Sequence, residues 1–72
     1  MQANYTPIRK TIQKAIDLIV ANKNEKAKVK LVAADEIITE LIDHAKSDED
    51  IIEISRYQVL LNQLHQKLMT KH

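Results

Sequence analysis

The sequence predicts an all-α protein folded as an antiparallel, up-down-up three-helix bundle. Three observations lead there. The 72 residues contain no glycine and a single proline. Apolar residues recur by threes and fours in three successive blocks, the spacing that gathers side chains on one face of a helix. The gaps between blocks are only a few residues long, which favours antiparallel neighbours over long crossovers. A strand reading fails, because four-three spacing cannot hold these residues on one face of a two-residue period.

The first helix is expected over residues 7–22, with Thr6 as N-cap and Pro7 at the first helical position. Its seam is Ile8, Ile12, Ala15, Ile16 and Ile19. Asn22, Lys23 and Asn24 break the pattern, and Asn24 is placed to cap a second helix over 25–46. That helix carries Ala27, Leu31, Ala34, Ile38, Leu41 and Ala45, widened by Ile37 and Ile42. Ser47-Asp48-Glu49-Asp50 reads as a capping box with Asp in place of the usual Glu. It opens a third helix over 48–70, with Ile54, Tyr57, Leu61, Leu64 and Leu68 along its seam. All 72 residues form one domain, residues 1–5 being a tail able to fold over the corner where the second and third helices meet.

Helix lengths give the first functional expectation. At 1.5 Å per residue the first helix reaches about 24 Å, against about 33 Å for each of the others. It therefore stops short of Leu41, Ile42, Ala45, Ile51 and Ile54, which either rest under Tyr5 or form an apolar groove for a partner helix or a second copy. Ile52 and Val59 lie on the far side of the third helix from Leu61 and Leu68. Val29 and Val32 are likewise off the second seam. Such residues are candidates for a further contact face, and an oligomer is favoured over a monomer, because a small core gains from extra burial.

Charge is ordered along the chain despite a net value of +1. Residues 1–30 hold seven basic and two acidic side chains, whereas residues 31–54 hold one basic and eight acidic. In an antiparallel bundle Lys23, Lys26, Lys28, Lys30, Lys67 and Lys71 gather at one pole. Asp43, Asp48, Glu49, Asp50 and Glu53 gather at the other, partly offset by Arg9, Lys10 and Lys14. Lys26 in the opening turn of the second helix opposes the helix dipole, and an anion could bind there.

Chemistry finds little purchase. There is no cysteine, so disulfides and thiolate metal sites are excluded. Glu40, Asp43 and His44 could share a helix face, yet no His-Glu-x-x-His or Glu-x-x-His pattern occurs, and no physiological metal or cofactor is expected. His65 reads as a packing residue. Ser47 is explained as a cap, and nothing places a base or an oxyanion hole near Ser55. No apolar run approaches the roughly 20 residues that span a bilayer, and no signal-peptide pattern opens the chain.

The sequence thus points to a small, non-enzymatic, cytoplasmic protein-interaction module, an adaptor, inhibitor or regulator that acts by stoichiometric binding. Its partner is another protein or a second copy of itself, and no membrane is involved. The candidate binding residues are Leu41, Ile42, Ile51, Ile52, Ile54 and Val59. Two alternatives remain. One is a nucleic-acid accessory protein using the basic pole of Lys26, Lys28, Lys30 and Lys67; the other is a self-assembling structural bundle.

Overall fold

The computed structural model describes residues 4–70 and contains three helices: α1 (Thr6–Val20), α2 (Asn24–His44) and α3 (Asp48–Thr70). They pack antiparallel in succession into a bundle measuring 41 × 18 × 15 Å. The arrangement is not symmetrical: α2 is the central element, packed along both α1 and α3, while α1 and α3 meet only sparsely. Side-chain size explains the tighter pair. Ala15 of α1 and Ala27 and Ala34 of α2 are fully buried, and such small residues let two helix axes approach closely.

The expected seams form the core. Ile8, Ile12, Ala15 and Ile19 meet Ala27, Leu31, Ala34 and Ile38, and Ile54, Leu61, Leu64 and Leu68 complete the cluster. Ile16, Ile37, Leu41, Ala45 and Tyr57 pack half-buried against it. No polar or charged residue is buried as a whole among the described residues.

The helix ends depart from expectation in instructive ways. α1 is capped one residue earlier than Thr6: Tyr5 is the N-cap residue, and Asn4 Oδ1 accepts the Thr6 N–H at 3.1 Å. Tyr5 is held by contacts to α3, so the backbone must already turn into the helix there. α1 also ends at Val20 instead of residue 22. Asn22 takes a left-handed φ of 62°, its N–H bonding Ile19 O at 3.0 Å, while the Lys23 N–H bonds Leu18 O at 2.8 Å. This is a Schellman ending, with asparagine in the place usually taken by glycine. It carries the chain straight into α2 and leaves no room for Asn24 to cap. Asn24 becomes the first helical residue, and its Oδ1 is buried with no hydrogen-bond partner.

The second corner behaves more nearly as expected. α2 ends at His44, not residue 46, and Ala45 is already extended with ψ 133°. Ser47 Oγ accepts the Asp50 N–H at 3.2 Å, the forward half of a capping box. The return bond lands one residue further back than usual, Asp50 Oδ2 accepting the Lys46 N–H at 3.3 Å.

Candidate docking surfaces

Asp50 joins the corner to the tail. Its Oδ1 accepts a hydrogen bond from the Tyr5 hydroxyl at 3.3 Å. The Tyr5 ring lies 5.8 Å from that of Tyr57, tilted by 35°. The Tyr57 hydroxyl in turn accepts a bond from Arg9 Nε at 2.8 Å. Removal of the Tyr5 hydroxyl from water, reinforced by the nearby Asp50 carboxylate, raises its pKa above the ordinary 10.0. The bond to Tyr57 raises that of Arg9, whose guanidinium stays charged throughout. Tyr5 is thus a lid with a polar latch, and it covers part of the corner that α1 is too short to reach.

Burial divides the six apolar candidates. Ile54 is 2% exposed and belongs to the core, so it is corrected from a binding residue to a structural one. Leu41 is half-buried against the same core. Ile42, Ile51, Ile52 and Val59 stay 47%, 53%, 56% and 55% exposed. Helical spacing shows which side of the hairpin the first two occupy. His65 Nε2 of α3 meets Asp35 Oδ2 of α2 at 3.1 Å, which marks one flank of the α2–α3 contact. Ile42 lies seven residues from Asp35, and Ile51 fourteen from His65, so both follow that flank toward the corner. Ile52 and Val59, seven apart, look outward from α3 on another side. The exposed acids Asp43, Asp48 and Glu49 lie at this corner and outnumber the exposed Lys46 between them.

The basic residues divide too. Lys26 and Lys30 of α2 share a groove with Lys14 of α1 and Lys23 of the connection, over an apolar floor of Leu18, Ala21 and Val29. Asp17 is the one acid on it, and its carboxylate accepts a bond from Gln13 Nε2 at 3.0 Å. Lys28 is exposed but off this groove, two residues and hence about 200° from Lys26. Lys67 sits on the separate helix α3, and Lys71 lies outside the described residues. Sequence spacing missed Lys14 as a member, because only the packing of α1 on α2 brings it across. The groove also explains why Lys26 is tolerated in the first turn of α2. It faces the C-terminal turn of α1, whose dipole favours positive charge and which carries no basic residue of its own.

His65 pairs with Asp35 across two helices instead of only packing, a contact between half-exposed groups worth about 1 kcal/mol or less. Among the described residues no three His, Asp or Glu side chains gather as a metal site. No helix among them is long and apolar enough to cross a membrane. Comparison with protein-family models, curated proteins and solved structures finds no match.

Proposed function

We propose that this protein is a non-enzymatic interaction module whose α2–α3 corner docks another polypeptide by stoichiometric binding. The observation that supports this is the pair Ile42 and Ile51, each about half exposed although neighbouring seam residues are buried. Covering two such side chains recovers about 1 kcal/mol from each. The acids around them favour a partner that presents basic residues beside its apolar ones, and they speed encounter more than they tighten binding. The partner is a second polypeptide, whether a different protein or another copy of this chain.

The lysine groove supports a second reading, a nucleic-acid accessory role. Its apolar floor offers nothing to a phosphate backbone, and both tyrosines sit at the opposite end, so stacking on bases has no platform there. Protein docking is therefore preferred.

The Ile42→Ser/Ile51→Ser variant tests the corner. Proteins that copurify with the wild-type chain from its native host are expected to be lost from the variant, with helicity by circular dichroism unchanged. Retention of the same partners by a folded variant would move the docking site elsewhere.

A further inference from the structure

We propose that the two ends of this molecule recognise each other, the lysine-rimmed groove of one copy taking the acidic, isoleucine-bearing corner of the next. The inference rests on the corner being a docking surface and names its occupant. Lys14, Lys23, Lys26 and Lys30 rim the groove, and none of them is ion-paired among the described residues. Between them lies the apolar strip of Leu18, Ala21 and Val29. The matching surface must present acids around apolar side chains, and the far corner of the same chain does so with Ile42 and Ile51 among Asp43, Asp48 and Glu49.

The geometry requires two molecules. The groove lies beside the α1–α2 connection and the corner beside the α2–α3 connection, at opposite ends of a bundle 41 Å long. One copy cannot satisfy its own complement. The contact is heterologous, so it repeats from copy to copy, either closing into a ring or continuing as a filament. From Lys14 to the helix end at Val20 the α1 side of the groove is about 9 Å long, so the interface is at the small end of specific contacts. Association is weak and, being charge-guided, is screened within about 8–10 Å at physiological salt.

Sedimentation velocity on the full chain tests this with two variants. Lys26→Glu/Lys30→Glu spoils the groove and keeps the corner; Ile42→Ser/Ile51→Ser spoils the corner and keeps the groove. Wild-type protein should associate with rising concentration at low salt and revert toward monomer at high salt. Each variant alone should associate at least about tenfold more weakly. Mixed, the two variants should form a one-to-one dimer that grows no further, since each supplies the surface that the other lacks. Wild-type protein that stays monomeric at every concentration would overturn the proposal. So would a groove variant that associates as well as wild type, which would indicate a symmetric contact between corners. A DNA duplex that binds wild type and not the groove variant, without self-association, would instead assign the groove to phosphate. If self-association fails while the corner variant still loses its copurifying partners, the docking corner stands and only the identity of its occupant falls.

Discussion

Asn22 stands where most helix ends carry glycine. A left-handed residue with a Cβ costs roughly 1–2 kcal/mol, and asparagine is among the few side chains that tolerate it. In a chain without glycine, asparagine is the best remaining choice for the one described residue with positive φ. Asn22→Ala is expected to lower unfolding stability by about 1 kcal/mol in urea, whereas Asn22→Gly should leave it unchanged or raise it. An alanine variant as stable as wild type would mean that the corner can be turned another way. The interruption at residues 22–24 was legible in the sequence, but its form was not. Asn24 offers the same cap chemistry as Asn22, and only the Schellman bonds to Leu18 and Ile19 show which of them serves the turn.

Among the elements, the tail and α3 form the least obvious partnership. Four-three spacing identifies Ile54 and Leu61 as core without help from the fold, because burial follows from position on the helix. Leu41 and Ile42 are adjacent in sequence, and spacing puts Leu41 on the seam and Ile42 on its edge. Leu41 is half-buried against the core while Ile42 stays 47% exposed, and how far the edge of the stripe is covered is a matter of tertiary packing. The latch can be read directly. In a Tyr57→Phe background Tyr5 is the only phenol, and its ultraviolet titration should lie above pH 10.0. Adding Asp50→Asn should bring it down, since the carboxylate that opposes phenolate formation is gone. The sign for stability follows. The raised pKa favours the folded state fully below pH 10, and that contribution is lost as pH climbs from 10 through the raised value. A Tyr5 that titrates at the ordinary value would mean an undocked tail.

At the scale of the whole molecule, a core of twelve buried side chains among the described residues supports an elongated body whose ends carry opposite charge. The charge separation was visible in the sequence, since the first thirty residues are basic and the following stretch acidic. The groove was not, because it requires Lys14 of one helix to face Lys26 and Lys30 of another. Small domains are marginal when left alone, so half-exposed isoleucines at a charged corner gain by being covered. Repeated end-to-end contact covers them with material that the chain already supplies. The most direct measurement is a concentration series of amide proton–nitrogen NMR spectra at low salt. Signals around Ile42 and Ile51 and around Lys26 and Lys30 should move together as concentration rises, while those of the α2 midsection near Ala34 stay fixed. Spectra that do not change with concentration, or shifts confined to one end, would contradict mutual recognition of the two ends.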